Sequence, residues 1–379
     1  MKYPKEYLEE IKTRLKVSTV VSKTVNLKKR GKEFIGLSPF KNEKTPSFTI
    51  NDEKGFYHCF STGEHGNIFD FLMKTQNLKF GETVKTLANL AGMRPYIFSK
   101  EDEEREKKFK NYVSVLKDYL IICKNNIFND HNVKLNDYLK KRNLSSDIIK
   151  RFSLGFNKNE NNIFDELKKK HDNKVINETG LFYYDDKKKV FIEKFRNRLI
   201  FPIFNITNNP IGIGGRLIEN NNYFAKYINS PETPYFKKGS NLYNLNFVRT
   251  LSNKIDYVYV VEGYMDVIGM TKNGIQNVVA NLGTALTDKQ ILLLGQFFNH
   301  IIICFDGDKS GKDAALRAAE NSIANLQSEK KISFLFLPEG EDPDSFISKN
   351  KKEFFESFSK KNLISIHKFI YQNYKQSVD

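Results

Sequence analysis

The spacing of apolar residues changes three times along this chain. Over residues 3–25, Leu8, Ile11, Leu15 and Val20/Val21 lie near one face with charges between them, which predicts a helix. Short apolar pieces follow, EFIGLSPF (33–40), SFTIN (47–51) and GFYHCF (55–60), broken by Gly, Pro and Asn and read as strands. Ile68, Phe71 and Leu72 then return to helical spacing over about 67–77. The run EDEEREKKFK (101–110) is almost wholly charged, and is read as a linker or exposed helix start at a domain boundary.

Residues 111–152 carry a helical pattern. In NRLIFPIFNITNNPIGIGGRLI (197–218), two apolar runs flank Asn208-Asn209-Pro210, which predicts an antiparallel hairpin. After Ser252 the pattern alternates strands with helices. The strands are YVYVVEG (257–263), QNVVA (276–280), HIIICFDGD (300–308) and ISFLFLP (332–338), and Thr287 to Gln290 forms a capping box. Continuously apolar strands alternating with helices predict a parallel sheet covered on both faces. The chain therefore divides at 1–100, 101–110, 111–251, 252–340 and 341–379. The fold class expected is α/β in its later part and α+β overall.

The chain has 379 residues, of which 40% are hydrophobic, so it is globular rather than disordered. A net charge of +16 favours a polyanionic partner, nucleic acid before membrane, although a lysine-rich composition without Trp spreads cations everywhere. Three scattered cysteines do not make a disulfide framework and fit a reducing compartment. No apolar run reaches membrane-spanning length and the N-terminus lacks a signal-peptide core, so a cytoplasmic protein is expected, with no membrane partner.

The acids carry the chemistry. Glu262 follows the apolar run YVYVV, and Asp306 and Asp308 follow IIICF. Ligands of a parallel α/β sheet bind beyond the carboxyl ends of its strands. If these two strands are neighbours, three carboxylates meet, and a hard divalent cation, Mg2+ or Mn2+, relieves their repulsion. Gly263 and Gly307 are expected to let the backbone turn sharply. Glu341-Asp342-Pro343-Asp344 follows a third strand. One Asp-Gly-Asp is ordinary turn chemistry; acid clusters after three strands of one unit are not. GDKSGKD at Gly307 is one residue short of a Walker A loop, and GIGG at Gly212 does not complete a dinucleotide-binding loop.

VVEGYMDV followed by FDGDKSGKDAA resembles the Toprim module. FIGLSPFKNEKTPSFTI, FYHCFSTGEHGNIFDFLM, RLIFPI, GIGGR, KYINSPET, YFKKGSNLYN and LPEGEDPDSF resemble, in order, the bacterial replicative DNA primase family. The resemblance implies a zinc-ribbon-like template-binding domain (1–100), a charged linker (101–110) and an α+β subdomain of the polymerase domain (111–251). A Toprim parallel-sheet subdomain (252–340) and the start of a helical subdomain (341–379) complete it. It implies a metal-dependent nucleotidyltransferase at the replication fork, in the nucleoid. Its partners would be a single-stranded DNA template, ribonucleoside triphosphates and the RNA primer. Glu262, Asp306 and Asp308 match the principal metal ligands, and Asp342 and Asp344 the accessory acids. Arg196, Arg198, Arg216, Lys226 and Lys238 match nucleic-acid and nucleotide contacts, with Asn229 and Ser230 as polar helpers. Lys237 lies in the same basic stretch, and Tyr227 and Tyr264 either stack on bases or pack in the core.

Two departures stand out. The ribbon's four zinc positions read Ser38, Lys41, Cys59 and Thr62, so one ligand of four remains and zinc is not expected. His58 and His65 lie close, but His58 points away from Cys59 on a strand. Contacts among Phe34, Phe40, Phe48, Phe56 and Phe60 are expected to replace the metal. Family members also continue beyond Asp379 into a helicase-binding domain, so the chain is either a fragment or without the usual helicase contact; a monomer is expected. The rival readings are a Toprim-fold nucleic-acid-binding protein without primer synthesis, and a nuclease.

Overall fold

In a computed structural model, the structure describes residues 3–129, 132–158, 162–219, 223–252, 254–283, 285–307, 315–319 and 330–375. Contacts divide the chain into two compact units, Met1–Lys107 and Lys108–Asp379.

In the first unit the expected single helix is two, α1 (Lys5–Arg14) and α2 (Val17–Val21), because Leu15 and Lys16 are extended between them. Five antiparallel strands follow in sequence order: β1 (Lys28–Arg30), β2 (Glu33–Gly36), β3 (Phe48–Asn51), β4 (Phe56–Cys59) and β5 (His65–Gly66). Helices α3 (Ile68–Gln76) and α4 (Phe80–Leu90) close the core. Asn67 and Asp70 cap α3 reciprocally. The core centres on Phe48 stacked on Tyr57 at 5.2 Å, with Phe71 edge-on to Tyr57.

Of the two readings of the charged run 101–110, the exposed helix start is the one that forms. It lies inside α5 (Lys100–Asn129), and the division between the units falls within that helix. Glu and Lys are good helix formers, acids occupy the first turn, and Ser99 caps with Asp102. In the second unit come α6 (Val133–Lys141), α7 (Ser146–Arg151), β6 (Gly155–Asn157), α8 (Ile163–Lys168), α9 (Asn173–Glu178) and the ribbon β7 (Phe182–Asp185) with β8 (Val190–Glu193). The expected hairpin forms as β9 (Arg198–Phe204) and β10 (Pro210–Leu217), with Asn208 at φ +62° in the turn. With β6 and β11 (Tyr227–Asn229) it builds a sheet ordered β11-β10-β9-β6. A short α10 (Leu245–Val248) follows.

The alternating region comprises β12 (Tyr257–Val261), α11 (Tyr264–Lys272), β13 (Val278–Ala280), α12 (Asp288–Gly295), β14 (His300–Phe305) and β15 (Lys331–Phe336). Then come α13 (Pro343–Asn362), β16 (Ile364–Ser365) and α14 (Ile366–Lys375). The sheet order is β13-β12-β14-β15-β16, parallel except for β16. Tyr259, Val261, Ile302 and Cys304 face one core, while Val258, Val260, Ile301 and Ile303 face another. That explains the continuous apolar runs. Thr287 and Gln290 form the expected capping box.

A polar group lies deep in the second unit. Glu193 accepts from Asn157 Nδ2 at 2.7 Å and from Ile163 N at 3.0 Å, and burial pushes its carboxyl up from 4.5 to about 7 against those hydrogen bonds. The folded state therefore keeps a proton that the unfolded chain releases near 4.5, so stability falls as pH rises from about 4.5 through about 7. Asn157 Oδ1 is buried without a partner, and a flip of the Asn157 amide would let it accept from an introduced amide. Glu193→Gln should therefore flatten this fall and raise the melting temperature more at pH 8 than at pH 5. Thermal melts across that range check it; an unchanged slope would show that Glu193 is not the group responsible.

Candidate active site

The register of the parallel sheet sets the site. Val260 pairs with Ile303, so β12 and β14 end side by side and release Glu262 and Asp306 at one edge. Cys304, one step inside that edge, reports their shared field: burial first, then Asp266, Asp306 and Glu262, push its thiol well up. Asp308 lies outside the described residues.

The two glycines supply room rather than unusual backbone angles. Gly263 is extended (φ −123°), and a Cβ there would sit 2.8 Å from Asp266 Oδ2. At Gly307 a Cβ would meet the carbonyl oxygens of Leu337 and Pro338 at 2.4 and 2.2 Å, so glycine lets the segment after β15 pack against the acid turn.

Asp266, four residues after Glu262, is the acid the sequence reading passed over. Its Oδ2 accepts from Gly263 N at 2.9 Å, which fixes the turn that carries Glu262. Burial pushes its carboxyl up to about 8, aided by Asp342, Asp306 and Asp344 and opposed by that hydrogen bond. The signal was present as an acid one helical turn on, in VVEGYMDV.

Asp342 is the N-cap of α13 and accepts from Ser345 N at 2.6 Å, leaving its side chain exposed. Asp344 is placed differently. It is buried at 6% exposure, with Arg142 Nη1 and Lys272 Nζ each 3.3 Å from its carboxylate. Gly269 makes this approach feasible, since a Cβ there would lie 2.2 Å from Asp344 Oδ1. Asp344 thus joins the end of α6, α11 and α13. Arg142 gave no local signal, because its partner lies 202 residues away.

Among the described residues no three acids, histidines or cysteines form a ready cage for a metal. The donor set still fits magnesium. It offers hard carboxylate oxygens of one sign with one acid driven toward its neutral form, and magnesium commonly takes only one or two carboxylates and keeps its waters.

The basic residues separate into groups. Arg196 is exposed and lines a cavity of about 310 Å³ with Lys194, Asn197, Arg198, Glu219 and Phe224. Arg198 is buried and donates to the carbonyls of Ala225 (2.8 Å), Lys226 (3.2 Å) and Gly215 (3.4 Å), so its guanidinium holds the chain around β11. Arg216 is buried over the rings of Tyr138 (4.3 Å) and Tyr227 (5.6 Å). Arg216, Arg142 and Asp266 all act on the Tyr227 phenol, which burial pushes up to about 12, so these cations lie near the acids. Lys226 is exposed, Lys237 pairs with Glu232, and the Lys238 backbone is tied to Glu232 and Gln290.

Tyr264 is no base-stacking surface. It is buried against Phe201 and Tyr243 and donates to Asn229 Oδ1 at 2.5 Å. Asn229 in turn donates to Leu282 O, and Ser230 Oγ accepts from Ile213 N. Both polar helpers are committed to positioning the backbone.

In the first unit the zinc positions do not fit zinc. Cys59 Sγ lies 3.2 Å from Ser38 Oγ and 3.4 Å from Ser61 Oγ. Burial pushes the thiol up, and the hydroxyls of Ser38, Ser61 and Thr62 more than offset this, leaving it at about 7. Two hydroxyls and a lysine make a poor zinc set. The expected aromatic replacement is also corrected. Phe48 is core and Phe34 and Phe40 pack against it, but Phe56 and Phe60 are 39% and 71% exposed because they face away from it. His58 stacks on His65 across β4 and β5.

Three family models match: the CHC2 zinc finger over residues 3–104, the N-terminal domain of the DNA primase catalytic core over 122–249, and the Toprim domain over 256–336. DNA primase of Haemophilus influenzae is 35% identical over 99% of this chain, and that of Escherichia coli K12 37% over 93%. The chain spans 64% and 61% of their lengths. A solved DnaG primase catalytic domain bound to ssDNA superposes with TM-score 0.66 at 32% identity, covering 71% of this chain and 86% of its own. The zinc-binding and RNA polymerase domains of Aquifex aeolicus primase give 0.62 at 28% identity, covering 94% and 86%. A chain that matches these proteins in sequence and fold, with all three family models following one another along it, belongs to the DnaG-type DNA primase family.

Proposed function

We propose that this chain synthesises short RNA primers on single-stranded DNA, as a metal-dependent nucleotidyltransferase. The observation that carries the reading is that two adjacent parallel strands end in Glu262 and Asp306, with Asp266 of the following helix in the same electrostatic field. Glu262, Asp306 and Asp308 would hold Mg2+ or Mn2+, with Asp342 beside them. When bound, such an ion lowers the pKa of the attacking 3′-hydroxyl and neutralises charge on the α-phosphate and leaving pyrophosphate. The chain's own groups do the rest. Asp266 fixes the turn bearing Glu262, and Asp344 ties Arg142 and Lys272 to the site. Arg216, braced on two tyrosine rings, offers a fixed cation to the triphosphate. Arg196 and Lys226 offer exposed cations to the template backbone. Bound single-stranded DNA in a similar solved structure supports that substrate. The first unit serves template binding without zinc.

Asp306→Ala should reduce primer synthesis by more than the roughly 10–100-fold typical of losing a group outside the ligand shell. Its melting temperature should be unchanged or raised, because one of several repelling acids is gone. A primer-extension assay with ribonucleotides and magnesium, run beside a melt, checks both. Near-normal yield would sink the assignment, and digestion of the template would mark a nuclease.

Arg196 and Arg198 should behave differently. Arg196→Ala should weaken single-stranded DNA binding and lower the salt slope by about 0.7 without loss of stability. Arg198→Ala should cost about 1–3 kcal/mol of stability, because buried carbonyls lose their donor. DNA titrations at several salt concentrations and denaturant melts distinguish them; identical behaviour would contradict the division of roles.

A further inference from the structure

We infer that a hydrogen-bonded cluster of Ser38, Glu43, Ser47, Cys59 and Ser61 staples the first unit's sheet at the place where the family's zinc would sit. The inference rests on the zinc-free reading above and deepens it.

Glu43 is the hub. Its Oε1 accepts from Ser38 N at 2.8 Å and from Ser47 N at 3.1 Å, and Ser47 Oγ donates to the same carboxylate at 2.7 Å. Ser47 Oγ also lies 2.8 Å from Ser61 Oγ, which carries the hydrogen-bonded chain on to the turn after β4. Cys59 Sγ donates to Ser38 Oγ at 3.2 Å, and Ser38 Oγ also accepts from Phe40 N at 3.1 Å.

The cluster joins the loop after β2, the start of β3 and the turn after β4. A tetrahedral ion would hold together the same two loops, those carrying Ser38/Lys41 and Cys59/Thr62. A carboxylate bound by two backbone amides and a hydroxyl is a strong acceptor, so its removal strands donors at Ser38 and Ser47. The thiol is a peripheral donor here, whereas in a zinc ribbon it would be indispensable. That difference decides the test.

On the full chain, the melting of the first unit is followed by near-ultraviolet circular dichroism and limited proteolysis. Elemental analysis and a zinc chelator accompany it. Cys59→Ser, which keeps a donor, should leave the transition within about 2 °C, and chelator should not move it. Glu43→Ala should lower it by about 5 °C or more, and Glu43→Gln and Ser47→Ala by less, in graded order. Stoichiometric zinc, with melting sensitive to chelator and to Cys59→Ser, would overturn the zinc-free reading itself. No zinc, with all the Glu43 and Ser47 variants melting like the parent, would overturn the staple alone. Should Glu43→Ala fail to fold, the Glu43→Gln and Ser47→Ala shifts still decide the matter.

Discussion

Crowding of like charge at the carboxyl end of one parallel sheet is the constraint around which the second unit is arranged. Glu262, Asp266 and Asp306 share a field strong enough to act on a buried thiol one residue inside the sheet, and Asp266 is driven toward its protonated form. Folding tolerates this because the edge is partly wet and the acids are spread over a strand end, a helix turn and a loop. Such an arrangement opposes stability and lends itself to binding a divalent cation.

The cations around this edge are held in place by specific neighbours. Arg216 lies on two tyrosine rings and Arg142 is anchored through Asp344, so their charge is held in place near the acids. Lys272 shares Asp344 and also donates to Arg142 O, closing a three-way tie among α6, α11 and α13. A carboxylate within reach of the acidic edge can thus serve as a brace. Which role it takes depends on whether its neighbours neutralise it.

The first unit meets a different problem, since small sheet domains with modest cores commonly rely on a metal or disulfide. Here Phe48, Tyr57 and Phe71 form the core, while the loops are tied by a carboxylate and hydroxyls. Each such bond is weak against water, so several must be made together to hold a turn.

The hairpin at Asn208, the parallel sheet and its acid-bearing edge were legible in the sequence. Each rests on local pattern: apolar runs, turn residues, a capping box, acids directly after strands. Glu262 and Asp306 were legible for the same reason, as strand position fixes where they emerge. The roles of Arg198, Asn229, Ser230 and Asp344 were not. Each is set by a partner distant in the chain, such as the carbonyl at Ala225 for Arg198 or Arg142 for Asp344. Asp266 stood in plain view, but only burial distinguishes it from a routine first-turn acid. The charged run at 101–110 left linker and exposed helix start both open, because charge density speaks of solvent and is silent on backbone, and Glu and Lys suit an exposed helix as well as a linker. Sequence determined which chemistry was present and at which strand ends. Tertiary structure alone decided which charges were paired, buried or left to act, because pairing and desolvation depend on neighbours that only the fold brings together.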